Sequence, residues 1–422
     1  MRSADGQEPS CTEVVALQGW RASLCGCSSD PALLVLSLPR SPVCAKDRFD
    51  VAFALYGDLR NNSRALRQLR VLGDAGLRIR VIAAGSGRSG APEIPDASLC
   101  AIPVPDFSGP RFFRALHCRV REALLETPAR VYHASGLYVL PAACSAARRH
   151  GGRIAYDARE LYTHVSATAG RPWVRAFWHL VERRGIRRAD AVLTVGNAIA
   201  DRLAATYGVV RPAVLHNIPD RKFPALPPSP LVPGLDPDTV VILHQGHMMK
   251  DRGCEQLVDA MRDIEGAVLV FLGGGPLRPA LQKQAADAGV ADRIRFVDSV
   301  PADRLPAYTA SADLGVTLLQ DTCLNHRFAL PNKLFQYFMA GLPVIASDLP
   351  EIRRVVAPHD TGILVESGNR TALVAALRQA VAQKPLREQW RRNIPRVFET
   401  FNPDSVSERL MHIYGELLRE AP

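Results

Sequence analysis

Ala329-Leu-Pro-Asn-Lys-Leu-Phe-Gln-Tyr-Phe-Met-Ala-Gly-Leu-Pro-Val-Ile-Ala-Ser-Asp348 reads as a helix followed at once by a buried strand. Pro331 suits a first helical position, where no N–H is needed, and Gly341 suits the residue just beyond a helix end. Pro343-Val-Ile-Ala-Ser347 is then a short apolar strand. A helix entering in this way turns its N-terminus, with Asn332 and Lys333, toward a ligand cleft.

The same alternation of strand and helix extends outward in both directions. Toward the N-terminus, strands are expected at Asp50–Tyr56, Arg78–Ala84, Arg130–His133, Gly152–Tyr156, Ala191–Val195 and Ala213–Leu215. Helices are expected over 63–74, 112–126, 138–149, 172–186 and 197–206. Prolines 219, 224, 227, 228, 230, 233 and 237 then interrupt the pattern and mark a linker. Alternation restarts at Thr239–His244 and runs through strands at Ala267–Leu272, Ile294–Val297, Leu314–Leu318, Pro343–Ser347 and Gly362–Val365. Helices over 369–383 and 403–419 close the chain. This is an α/β pattern of two doubly wound, Rossmann-like domains with parallel sheets. The expected division is an N-terminal extension over 1–47, a first domain over 48–218, the linker over 219–237, a second domain over 238–402 and a C-terminal helix over 403–422 that crosses back to the first domain. Residues 1–47 carry no core-forming pattern, so their removal is expected to leave folding intact.

Composition agrees with two domains: 422 residues exceed one ordinary core. Hydrophobic residues at 47% and charged residues at 22% exclude wholesale disorder. No apolar run reaches the ~18–20 residues of a membrane span, and the polar N-terminus does not read as a signal peptide. The net charge of +10 comes mostly from arginine and points only weakly to anionic partners. No basic tract with interleaved aromatics or zinc spacing supports nucleic-acid binding. Nine scattered cysteines, with only a C-x-C pair at Cys25 and Cys27, read as reduced thiols in a cytoplasmic protein.

Two further loops follow strands and precede helices. Phe271-Leu-Gly-Gly-Gly-Pro276 lets backbone approach a ligand, although any tight strand-to-helix turn also favours glycine. It lacks the G-x-G-x-x-G of dinucleotide sites. Gln245-Gly-His-Met-Met-Lys-Asp-Arg-Gly253 brings His247, Lys250 and Arg252 to a strand's carboxyl end, where fixed cations suit diphosphate oxygens. The helix from Trp173 to Arg188 mixes Trp173, Phe177, Trp178 and Leu180 with arginines. Its favoured reading turns the aromatics to the core and the arginines to water; the other lays it on an anionic leaflet.

Taken in order, Val131-Tyr-His-Ala-Ser135, Tyr156-Asp-Ala-Arg-Glu-Leu-Tyr162, Ala189–Val195, Val214-Leu-His-Asn-Ile-Pro219, the Gln245–Gly253 loop, Gly273-Gly-Gly-Pro276, Ala312-Asp313 and Pro331–Ser347 resemble the GT-B-fold glycosyltransferases, most closely the retaining glycosyltransferase family 4, glycosyl transferases group 1. The resemblance covers residues 50 to 419. It implies sheets facing each other across a cleft, a nucleotide-sugar donor in the second domain and an acceptor held mainly by the first. The acceptor would be a glycan, a lipid-linked molecule or a small molecule, with no cofactor beyond the nucleotide-sugar co-substrate and no metal. Arg252, Lys333 and His133 are the expected catalytic residues. Gly246, His247, Lys250, Gly273, Gly275, Val300, Asn332 and Gln336 are expected on the donor side, and Asp157, Arg159 and Glu160 on the acceptor side.

The departures are specific. The family's paired glutamates correspond to Phe328 and Gln336, so neither carboxylate is present. His247 replaces the usual arginine after the loop glycine, and Arg252 stands where lysine is common. His133-Ala-Ser-Gly136 replaces a frequent His-Ala-His-Asp, and Arg159 replaces a histidine. Two other readings therefore stand beside a transferase: a degenerate GT-B binding partner and a sugar-nucleotide 2-epimerase.

Overall fold

The computed structural model describes residues 48–85, 93–219, 231–301 and 303–419. The extension over 1–47 and residues 220–230 of the proline-rich linker lie outside them. Strands β1 Phe49–Tyr56, β2 Ile79–Ala84, β3 Ala97–Ile102, β4 Ala129–Ser135, β5 Arg153–Ala158, β6 Ala191–Thr194 and β7 Ala213–Val214 form a seven-stranded sheet. Its order is β3-β2-β1-β4-β5-β6-β7. Strands β8 Val240–Gln245, β9 Ala267–Leu272, β10 Ile294–Val297, β11 Leu314–Thr317, β12 Val344–Ser347 and β13 Gly362–Val365 form a second sheet, in the order β10-β9-β8-β11-β12-β13. Pairing is parallel, with Phe53 beside both Val81 and His133, and His244 beside Phe271. Chain order reverses between β1 and β4 and again between β8 and β11, the points where ligands of such sheets bind.

Burial explains why these strands read as continuous apolar runs. Every residue of β8 is buried. Val240 and Ile242 join one apolar cluster with Phe271, Leu314 and Ile345, while Val241 and Leu243 join another with Val270, Leu334 and Tyr337. Helices thus cover both faces of the second sheet, as parallel pairing requires.

Contact density divides the chain into two compact units. One comprises the described residues up to Asp157, His179–Val192 and the chain end from Ile413; the other comprises Ala158–Trp178 and Leu193–His412.

Four elements escape the sequence pattern. Strand β3 lies at a sheet edge and is half-buried along most of its length, so it lacks a core strand's signature. Helices Leu324–Arg327 and Pro350–Val356 are too short to show a period. Helix Lys384–Thr400 holds Pro395 in its interior, where a proline ordinarily argues for a break.

The favoured reading of the aromatic helix is overturned. Helix Pro172–Ile186 buries Glu182, Gly185 and Ile186, whereas Trp173 is 71%, Phe177 57% and Leu180 44% exposed. A Cβ on Gly185 would come within 2.3 Å of Leu140, so the helix seats on its glycine face. Tyr156 donates to Glu182 at 2.7 Å and fixes the same orientation. Trp173 and Phe177 are left on the outer side, while Trp178 is half-buried.

Candidate functional site

The loop after β8 is held by backbone contacts. Met248 N donates to Gly274 O at 2.8 Å and Leu277 N to Met248 O at 3.2 Å, so the loops following β8 and β9 stack. A Cβ on Gly273 would sit 2.5 Å from Gly246 O, and one on Gly275 would sit 2.4 Å from Met248 O. Both glycines have positive φ, at 136° and 146°. Close approach of two backbones therefore accounts for this pair. Gly246, at φ 109°, has open space around its Cβ position.

Farther along the loop, Asp251 and Gly253 both adopt left-handed backbone, at φ 66° and 71°. Gln320 N donates to Asp251 O at 2.9 Å, and a Cβ on Gly253 would meet Leu318 at 2.4 Å. Arg252 stands between these two pinned residues. A non-glycine residue in this region is uncommon and marks a conformation imposed by its surroundings.

Helix Asn332–Met339 follows Pro331, which is the extended residue before the first turn rather than a member of it. Tyr337 anchors the helix to the strand ends: its hydroxyl accepts from Gln245 N at 2.9 Å and donates toward Leu243 O and Val316 O at 3.1 and 3.2 Å. Gly315 makes room, because a Cβ there would lie 2.6 Å from the Tyr337 ring. Gln245 Nε2 donates to Gln336 Oε1 at 2.8 Å, and Thr309 Oγ1 donates to Gln245 Oε1 at 2.7 Å. These bonds fix the helix N-terminus that carries Asn332 and Lys333.

The structure brings Arg252 and Lys333 into one electrostatic cluster. Burial, with the Arg252 charge added, lowers the Lys333 pKa to about 7. Burial also lowers the Arg252 guanidinium, against opposing pulls that include Glu160 and Asp251. Burial, then Lys333 and Arg252, hold His244 well below the usual histidine range, so its ring is neutral at pH 7. His244 Nε2 lies 3.5 Å from Cys254 Sγ, and its Nδ1 has no hydrogen-bond partner among the described residues. His326, 3.0 Å from Thr322 Oγ1, is lowered by burial and by Arg252. Among the described residues neither Arg252 nor Lys333 forms an ion pair. Two covered cations beside neutral imidazoles make a place where an anion is stabilised strongly.

A carboxylate borders this cluster in the same unit. Asn325, which is 8% exposed, donates through Nδ2 to Glu160 Oε2 at 3.3 Å and accepts from Leu161 N at 2.9 Å. Burial raises the Glu160 pKa, opposed by Arg159, Asn325 and Arg252.

The other expected residues fall elsewhere. His133 is fully buried, stacked on Phe53 at 4.0 Å, with Nδ1 2.7 Å from the Tyr414 hydroxyl. Asp157 is fully buried and accepts from Arg64 twice at 2.8 Å and from Gln68 at 3.0 Å. Both serve the interior of the first unit. His247 and Lys250 are exposed, Arg159 is half-buried, and Val300 packs at the edge of the second unit's core. His244, Asn325, His326 and Tyr337 went unnoticed in the sequence. His244 read simply as the end of an apolar strand, and the other three depend on contacts with distant positions. Among the described residues no three His, Cys, Asp or Glu side chains gather as a metal-ligand set.

Comparison with known proteins places this geometry in a family context. Residues 62–220 match the family described as Glycosyl transferase 4-like domain, and residues 231–397 match Glycosyl transferases group 1. The GDP-mannose-dependent alpha-(1-6)-phosphatidylinositol monomannoside mannosyltransferase of Mycobacterium tuberculosis is 32% identical over 146 residues, 30% of this chain and 34% of that protein. The lipopolysaccharide core biosynthesis glycosyltransferase LpsE of Rhizobium meliloti is 26% identical over 185 residues, 44% of this chain and 51% of that protein. The chain thus spans 34% to 51% of the length of these relatives. Sucrose-phosphate synthase of Thermosynechococcus elongatus superposes with a TM-score of 0.72 at 17% identity, covering 88% of this chain and all of that one. That likeness is one of fold.

Proposed function

Given that the chain belongs to the group 1 glycosyl transferases, with a glycosyl transferase 4-like domain over residues 62–220, we propose that it moves a hexosyl group from a nucleotide sugar to an acceptor. The acceptor is a glycan, a lipid-linked molecule or a small molecule, with peripheral contact to a membrane in the lipid-linked case. The observation that carries this reading is the Arg252–Lys333 cluster at the start of helix Asn332–Met339. A nucleotide sugar's diphosphate gains negative charge as its glycosidic bond breaks. Covered cations and helix N-terminal amides stabilise that charge more in the transition state than in the ground state. Neutral His244 contributes no competing charge of its own.

Gly246, with open space at its Cβ position, leaves backbone free to approach the donor. Gln336, bonded to Gln245, faces the nucleoside side without the charge of a glutamate. Glu160, steadied by Asn325, sits in the field of Arg252 and orients the acceptor hydroxyl. The reaction proceeds with retention and without metal, in keeping with the family resemblance.

Incubation with a panel of nucleotide sugars in EDTA, followed by NMR of the product's anomeric proton, tests this. Release of nucleotide diphosphate with a retained anomer supports the reading. An inverted product, or turnover only with added Mn²⁺ or Mg²⁺, overturns its finer part, and no turnover with any donor overturns the whole.

A further inference from the structure

We propose that an aromatic cluster at the carboxyl edge of the first sheet is a subsite for a pyranose ring of the acceptor, which makes the acceptor a glycan, free or lipid-linked. The cluster lies wholly within the first unit. Tyr56 ends β1, Tyr138 follows the end of β4, and Phe112 and Phe113 stand in the first turn of helix Pro110–Leu125. Strands β1 and β4 are neighbours where chain order reverses, so these rings gather where such sheets hold ligands. The Tyr56 ring centroid lies 5.5 Å from Phe112 and 6.0 Å from Tyr138, while Phe113 lies 5.3 Å from Phe112 and 5.1 Å from Tyr138. These contacts close a circuit of four rings. Phe53, Leu55, Leu116 and Leu137, on the same elements and loops, are at most 1% exposed, whereas all four rings are half-buried. Phe107, on the segment leading into the helix, is 50% exposed. Gly57, next after Tyr56, has φ 109° and open space at its Cβ position, so the strand end beside the cluster is uncrowded.

The chemistry of the cluster selects its occupant. A pyranose has a flat apolar face of C–H groups and a rim of hydroxyls. Its C–H groups, slightly positive, settle on the negative face of an aromatic ring. Tyr56 and Tyr138 bring phenol hydroxyls to the cluster. Arg111 and Arg114, both exposed and without an ion pair among the described residues, add guanidinium donors at the same helix end. No acidic side chain stands in that helix's first turn. Rings beside unpaired donors match an oxygen-rich ligand with one apolar face. Three of the four ring pairs are locked edge to face, at 65°, 78° and 82°. The surface is therefore shaped before a ligand arrives, which suits a rigid sugar ring and not the mobile chains of a lipid.

In calling this sugar the acceptor the inference rests on the transferase reading above, yet sugar binding is measured without any donor. A chain that turns over no nucleotide sugar can still bind a pyranoside, and the reverse, so the two failures are read separately. Saturation-transfer NMR on the full chain uses the methyl glycosides of glucose, mannose and galactose, with open-chain sorbitol for comparison. Transfer to the ring C–H protons of at least one glycoside is expected, and none to sorbitol. Phe112→Leu and Tyr138→Leu keep apolar bulk but lose the ring face, and each should weaken binding at least about fivefold. Phe112→Tyr restores a ring face and should bind as wild type does, which tells loss of stacking from loss of fold. Arg278→Ala, outside the first unit, should change nothing. No transfer to any glycoside, equal transfer to sorbitol, or wild-type binding by both leucine variants overturns the proposal. So does flotation with phosphatidylcholine vesicles that the leucine variants abolish, since the rings would then serve a lipid surface.

Discussion

The Lys333 ammonium lies in the field of the Arg252 guanidinium, and burial together with that second cation brings its pKa down to about 7. A lysine so placed is cationic below neutral pH and loses its charge above it. Binding a diphosphate requires the charged form. Affinity for a nucleotide sugar should therefore be highest below pH 7 and fall as pH rises, by up to about tenfold per unit. Calorimetric titrations across this range check the slope. Lys333→Arg, which stays charged, should flatten the profile; a profile equally steep in that variant places the titrating group elsewhere.

Loss of either cation should slow transfer. Arg252→Ala and Lys333→Ala are each expected to lower turnover about a hundredfold, the usual cost of removing one covered donor from a developing anion. Arg278→Ala is the control. Arg278 pairs with Asp298 and donates to Phe296 O, contacts made at the surface beyond the glycine turn. Steady-state rates of nucleotide release separate the three variants, and near-wild-type turnover in the first two would remove the assignment.

Asn325→Ala strips a partner from Glu160 and leaves Leu161 N without its acceptor. An orphaned buried N–H costs about 1–3 kcal/mol, so a lower melting temperature is expected. The sharper readout is kinetic. KM for the acceptor should rise while nucleotide-sugar affinity stays within a factor of about two, since Asn325 acts on the diphosphate site only through Glu160.

Arg64→Ala leaves the fully buried Asp157 carboxylate without its bidentate partner. Breaking such a pair from one side costs about 3–5 kcal/mol. Arg64→Met combined with Asp157→Leu removes both charges and should recover much of that loss. Urea unfolding of the single and double variants measures the difference. The outcome also bears on Asp157 itself: a large cost confirms work done inside the first unit rather than on an acceptor.

Much of the architecture was legible because parallel sheets bury both faces. Runs such as Val240 to His244 and Ala267 to Leu272 declare themselves without tertiary information. Strand β3 did not, because an edge strand is covered on one side only and its residues mix polar with apolar. At the site, Arg252 and Lys333 could be paired from sequence since strand ends of one sheet share an edge. Asn325 could not, because its role exists only through a bond to a residue 165 positions away. The surroundings of His133 were equally out of reach. A histidine at a strand's carboxyl end looks poised for chemistry, but Phe53 and Tyr414 enclose it.

The Tyr414 hydroxyl that meets His133 belongs to helix Pro403–Arg419, the last of the described elements, yet Ile413 onward is part of the first compact unit. During synthesis β1 and β4 leave the ribosome long before this helix exists. The first unit must then wait, with the pocket around His133 open, until the whole second sheet has been translated. Such a long-range closure slows folding and exposes apolar surface meanwhile. Until Ile413 onward has been made, the oldest part of the chain lacks the hydroxyl that closes over His133.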